Sequence, residues 1–152
     1  MRLLPALTLC FLSLPPLMDP SPAPLQGYIQ HAGGLEFLRP FNDKYPQAVK
    51  LFKNPALKTR LQKLLGGNFG YLVKDIFQVE IPIRIEGDYF YAWGMQTHSG
   101  GNPSAKLIAD LGKNKLYVEI LKNKQTLFYA EDGSKSLPAP LDAWVNKQSA
   151  NQ

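Results

Sequence analysis

The chain has 152 residues, 45% hydrophobic and 19% charged, with a formal net charge of +5 and a pI near 9.3. That balance describes one globular domain with a single core and excludes a disordered or fibrous chain. No apolar run reaches the roughly 20 residues that a membrane-spanning helix needs. The positive balance allows an anionic partner, but Lys50, Lys53, Lys58, Arg60, Lys63, Lys113, Lys115, Lys122 and Lys124 are scattered singly, without the clustered face and aromatic readout of a nucleic-acid binder.

Met1-Arg2 precedes an apolar segment over residues 3–14, followed by a proline-rich stretch over 15–24. A short positive end before an apolar middle is the pattern of a secretory signal peptide, here assigned to residues 1–24 and ending near Ser21-Pro22-Ala23. A membrane-seeking leader on a cytosolic chain is the competing reading. Lipid attachment at Cys10 is disfavoured, because the preceding Leu9 is large and the apolar segment short. Cys10 is the sole cysteine, so removing the leader leaves a chain with no disulfide.

Residues 25–39 carry little periodicity, and His31-Ala32-Gly33-Gly34 breaks any helix begun at Tyr28. Pro40-Phe41-Asn42-Asp43 reads as a turn, and residues 45–52 as a short helix with Pro46 in its first turn. A better helix starts at Asn54-Pro55, with an N-cap residue and proline at the first position. Leu57, Leu61, Leu64 and Leu65 share one face, Lys58, Arg60 and Lys63 cover the solvated one, and Gly66-Gly67 ends it. Phe69, Leu72, Val73 and Ile76 continue at helical spacing and read as core.

From Phe77 the period changes to two. Val79, Ile81, Ile83 and Ile85 alternate with Glu80, Pro82, Arg84 and Glu86, the pattern of one strand with a buried and a wet face. Pro82 cannot donate to a ladder, which puts that strand at an edge. After the turn Glu86-Gly87-Asp88, Tyr89, Tyr91, Trp93 and Met95 fall on one face and Phe90, Ala92 and Gly94 on the other. Both faces are largely apolar, as in a central strand covered on both sides. Further strands follow at 104–111, around Leu116, Val118 and Ile120, and at 126–131, then a loop and a final helix at 140–147 with Leu141 and Trp144. Strands separated by tight turns, with no crossover helices, imply an antiparallel meander. The expected class is α+β: N-terminal helices packed on a five-stranded antiparallel meander sheet, then a short C-terminal helix.

One connection stands out. Between the strands at 88–96 and 104–111 the chain needs about seven residues, where most hairpins close in two to five. Its sequence is Thr97-His98-Ser99-Gly100-Gly101-Asn102-Pro103, with one of the two histidines of the chain at its tip. Spacing alone also fits a solvated histidine on a long glycine-containing turn.

The element order and this loop resemble the family of Ivy-type inhibitors of vertebrate lysozyme. In that family a helical half precedes a five-stranded antiparallel sheet, and a Cys-x-Pro-His-x-Cys loop between two central strands plugs the lysozyme cleft. The matching segment is Met95-Gln96-Thr97-His98-Ser99-Gly100, with His98 at the key position. Ile85-Glu86-Gly87-Asp88-Tyr89-Phe90-Tyr91, Leu107-Ile108-Ala109-Asp110-Leu111 and Leu137-Pro138-Ala139-Pro140-Leu141-Asp142-Ala143-Trp144 resemble its flanking strands and its ending. Met95 and Gly100 stand where the family has cysteines, and Thr97 where it has proline. The resemblance implies a single domain over residues 25–152, a partner-binding loop of Gln96, Thr97, His98, Ser99, Gly100, Gly101 and Asn102, and a lysozyme or other cell-wall glycosidase as protein partner. It further implies a periplasmic or secreted location.

No other chemistry competes. Ser99 and Ser104 lie near His98 without a nucleophile elbow or an oriented acid. Gly100-Gly101 lies between strands rather than before a helix N-terminus. His98 has no second histidine or cysteine at ligand spacing. The expectation is therefore a protein without catalytic residues, metal or cofactor. The alternative is a non-enzymatic interaction or immunity module of the same fold with a different partner.

Overall fold

The computed structural model describes residues 34–150. The leader at 1–24, Cys10, Tyr28 and His31 lie outside the described residues. Within them the chain forms helical segments, an antiparallel sheet and a C-terminal helix, an α+β fold.

The expected helix at Asn54 is present as α1 (Pro55–Leu65). The Asn54 side chain accepts from the Ala56 and Leu57 amides at 3.0 and 3.2 Å, satisfying donors that the helix itself leaves open. Leu57, Leu61 and Leu65 are buried, and Gly66 ends the helix at φ +54°. A short α2 (Asn68–Tyr71) runs into a wider π-turn, Leu72–Ile76, which buries Leu72 and Ile76.

Six strands follow: β1 (Val79–Glu80), β2 (Arg84–Glu86), β3 (Tyr89–Met95), β4 (Ser104–Asp110), β5 (Lys115–Lys122) and β6 (Gln125–Ala130). The order is β1-β3-β4-β5-β6 with β2 also on β3, and every pairing is antiparallel. The last element is α3 (Ala139–Ser149).

The sheet is covered on both faces. Phe90, Ala92, Leu107, Ala109, Leu116, Val118 and Ile120 meet Leu57, Leu61, Leu72 and Ile76 on one side. Tyr91, Ile108 and Tyr117 meet Leu141, Trp144 and Val145 of α3 on the other. Trp144 stands edge-on to Tyr91 with centroids 6.4 Å apart, and its indole N–H donates to Glu86 Oε2 at 2.8 Å. The expected two-sided burial of the strand at 88–96 is therefore found in β3.

Four expectations need correction. The strand expected over residues 79–86 is two pieces. Pro82 interrupts the ladder, and the Ile83 backbone turns away to bond Lys44 O and the Asp43 amide, both at 2.9 Å. The break also changes the facing: Ile83 enters the helix-side core, Ile81 packs toward α3, and Val79 stays exposed. The sheet therefore has six strands rather than five.

The turn expected at Pro40 begins later, because Glu36–Phe41 is a 3-10 helix containing Pro40. It is held by tertiary contacts: Leu38 is fully buried, and Arg39 donates to Gly87 O at 2.8 Å and Asp88 Oδ1 at 2.7 Å. The helix expected at 45–52 is a series of turns with Lys50 at φ +52°, then a 3-10 turn at Leu51–Lys53.

Arg60, expected on the solvated face of α1, is largely enclosed. Its guanidinium grips both oxygens of Glu131, with Nε donating at 2.8 Å, and also donates to Asn114 Oδ1 and O. Glu131 in turn accepts the Leu116 amide at 2.8 Å. One ion pair thus ties α1 to the β4–β5 turn and the end of β6.

Gly94 marks the tightest approach. A Cβ there would lie 2.7 Å from the Phe77 ring and 3.1 Å from the Phe77 Cα, inside contact distance of both side chain and backbone. Gly94→Ala is expected to destabilise the protein by about 1–3 kcal/mol, read as a lowered urea midpoint. An unchanged midpoint would show that Phe77 is free to move aside.

Candidate functional site

The β3–β4 connection is a compact loop at one end of the sheet. The last ladder pair is Met95 with Ser104, and the Gln96 amide adds one bond to Pro103 O at 3.2 Å. Above it the chain folds on itself. Ser99 donates through its amide and its Oγ to Gln96 O, at 3.3 and 2.7 Å, and the Asn102 amide donates to Ser99 O at 3.2 Å. The Asn102-Pro103 peptide is cis.

Three loop residues occupy the left-handed region: His98 at φ +58°, Gly100 at +59° and Gly101 at +85°. Glycine takes that conformation without cost, and histidine is among the side chains found there more than most. Thr97, His98 and Gly100 are exposed, while Gln96, Ser99, Gly101 and Asn102 are half-buried. The imidazole makes no hydrogen bond or ion pair to any other described residue. The loop thus divides into a wet tip of Thr97, His98 and Gly100 and a base that bonds inward.

A contact that sequence reasoning missed fixes the near side of the loop. Gln78, just before β1, accepts the Thr97 amide on its Oε1 at 3.0 Å, and the adjoining ladder pairs Val79 with Met95 and Glu80 with Gly94. No local signal marks Gln78, since its partner is 19 residues away and is a backbone group. Trp93, half-buried, packs on the opposite sheet face with the α3 cluster. Beside the loop, Lys106 and Glu119 pair at 3.0 Å across β4 and β5.

Two polar atoms near this end are buried without a hydrogen-bond partner among the described residues, Asn102 Oδ1 and Glu80 Oε2. Burial raises the Glu80 carboxyl above its ordinary value, against the opposing hydrogen bond from the Gln47 amide at 2.9 Å. Among the described residues no group of three or more His, Cys, Asp or Glu side chains is placed to hold a metal ion.

Two outcomes follow. Gln78→Ala removes the acceptor of the Thr97 amide, so hydrogen exchange at Thr97 is expected to accelerate while global stability changes little. Equal exchange in both proteins would show that the side chain does not order the loop. For Glu80, a raised folded-state pKa contributes stability that is present in acid and lost as pH rises through it. The wild type is therefore expected to lose stability relative to Glu80→Gln between mildly acid and neutral pH, measured as the difference in urea midpoints. A pH-independent difference would contradict that assignment.

Comparison with known proteins supplies one match. The family model described as inhibitor of vertebrate lysozyme (Ivy) covers residues 56–151, from the first turn of α1 through the whole sheet and α3. No curated protein and no solved structure matches the chain. With more than half of its length covered, the chain belongs to the Ivy family of lysozyme inhibitors.

Proposed function

We propose that this Ivy-family protein works outside the cytoplasm, in the periplasm or after secretion, and blocks a lysozyme-type glycosidase by inserting the His98 loop into its cleft. Residues 1–24 act as its export signal. The family supplies the target class; the observation that carries the loop assignment is an exposed, unengaged imidazole on a tip whose base is bonded inward.

The chemistry suits that target. A lysozyme cleft holds two carboxyl groups, one kept protonated by an apolar site and one ionised. A neutral imidazole donates from one nitrogen and accepts at the other, so a single ring satisfies both groups while occupying the place of the sugar. Thr97, Ser99 and Asn102 add hydrogen-bonding groups at the rim, and Gln96, Gly100 and Gly101 set the shape of the turn. The protein contributes no catalysis and recruits no metal or cofactor.

Ordering such a loop before binding lowers the entropic cost of association. Family relatives staple theirs with two cysteines, where this chain has Met95 and Gly100. Here the Gln96–Pro103, Ser99–Gln96 and Thr97–Gln78 bonds constrain the same segment. The missing staple is also the observation that favours a second reading, an interaction or immunity module of the same fold with another protein partner.

A lysozyme assay on bacterial cell walls with the chain lacking residues 1–24 separates the two. Inhibition is expected from the wild type. His98→Ala is expected to weaken it by about 2 kcal/mol or more, roughly 30-fold in the inhibition constant. Full lysozyme activity in the presence of micromolar wild-type protein would remove the inhibitor reading and leave the second.

A further inference from the structure

The register sets the ends of five strands on one level. Val79 pairs with Met95, Met95 with Ser104, Ser104 with Leu121 and Leu121 with Thr126. What lies beyond that level forms one end of the molecule: the His98 loop, the β5–β6 turn, and the approach to β1 through Gln78. The neighbouring helical segments are tied to the same end. Gln78 donates to Lys74 O at 3.3 Å, Gln47 donates to Phe77 O at 3.3 Å, and the Phe52 and Phe77 rings meet at 4.7 Å.

Lysines that are scattered along the sequence gather here. Lys50, Lys53 and Lys74 stand on the β1 side of the loop, and Lys122 and Lys124 on its β5–β6 side. All five are exposed, and none forms an ion pair among the described residues. Lys122 lies over the Tyr71 ring at 4.4 Å, a contact that places the ammonium without removing its charge. Few carboxylates stand near to neutralise them. Asp75 is exposed, Glu80 turns inward with Oε1 on the Gln47 amide and Oε2 buried, and Glu119 is spent on Lys106.

The other end of the sheet is the reverse. There Glu86, Asp88, Asp110, Glu131 and Asp132 gather, and Arg39, Arg60 and Lys113 pair with Asp88, Glu131 and Asp110. Those cations fasten the fold, whereas the five around the loop fasten nothing. Like charges held on one face repel one another, and a negative counterpart relieves that repulsion.

We propose that these lysines are the docking rim of the His98 loop, and that the target is a lysozyme-type glycosidase whose cleft is bordered by acidic side chains. The inference rests on the inhibitor reading above and adds to it the charge class of the enzyme. A loop that projects between two basic groups suits a cleft with a wall on either side, the tip entering and the lysines meeting the walls. A flat anionic surface would meet the loop first and hold the lysines off. An enzyme with a basic cleft border is repelled at long range by the same five charges, so the rim selects among glycosidases before the loop makes contact.

Inhibition of two lysozyme-type glycosidases by the full chain, on one cell-wall substrate, tests the rim. One enzyme has an isoelectric point well below the assay pH, the other well above it. The acidic enzyme is expected to be inhibited about tenfold more tightly in about 10 mM salt. That difference is expected to close towards about 0.5 M salt, as the screening length falls from roughly 30 Å to a few ångströms. Lys122→Glu with Lys124→Glu, and separately Lys53→Glu with Lys74→Glu, are expected to slow association with the acidic enzyme about tenfold in low salt. Lys63→Glu with Lys135→Glu makes the same change in net charge away from the loop, Lys63 lying beside Asn114 and Lys115, and is expected to leave the rate nearly unchanged. Far-ultraviolet circular dichroism checks that each variant is folded. A wild type that inhibits the basic enzyme as tightly as the acidic one overturns the rim and leaves the inhibitor reading standing, whereas inhibition of neither removes both. Equal slowing by the Lys63 and Lys135 pair also overturns it, since net charge and not this face would then steer the encounter. Salt-sensitive binding to phosphatidylglycerol vesicles, with no preference between the enzymes, would assign the lysines to a lipid surface instead.

Discussion

The architecture depends on β3 having no solvent face. Phe90 and Ala92 are fully buried against the helices, Tyr91 is fully buried against α3, and Gly94 leaves room for Phe77 and no more. A strand covered on both sides must be paired along both edges, because unpaired backbone groups cannot be left there without water. β4 takes one edge along its whole length, and β1 and β2 share the other. The β3–β4 loop therefore emerges from the most constrained strand of the molecule.

That placement bears on how this loop is constrained with Met95 and Gly100, and no cysteine, at its two sides. A disulfide constrains a loop by joining its two sides covalently. Here the sides are joined by the last rungs of the ladder and by Ser99 reaching back to Gln96, while Gln78 holds the approach from a neighbouring strand. Each bond is individually modest, a net ~1 kcal/mol, but together they act on a segment whose ends are already fixed. The tip residues Thr97, His98 and Gly100 remain exposed.

Charge is used sparingly and mostly for fastening. The Arg60 guanidinium binds Glu131 in two-pronged fashion, and Arg39 joins the 3-10 helix to the β2–β3 turn. Arg84 reaches Asp43, where the chain between β1 and β2 leaves the ladder. In each case a planar guanidinium spans segments far apart in sequence, as its fixed fork of donors suits.

Periodicity along the sequence determined the class of this protein. Helical spacing of leucines behind Asn54, alternation in the later strands, and an apolar pattern on both sides of residues 89–95 each report local geometry, and each is found in the fold. The long connection with His98 at its tip was legible for the same reason, since loop length and glycine content are local. Tertiary structure alone decided the rest. Pro82 splits a pattern that alternates without interruption, because Ile83 finds better partners in the chain at Lys44 and Asp43. Arg60 leaves the wet face because Glu131 lies within reach, and Gln78 orders the loop because the register of β1 brings it there. Such contacts join residues 19 to 71 positions apart, a distance over which the period of the sequence carries no information.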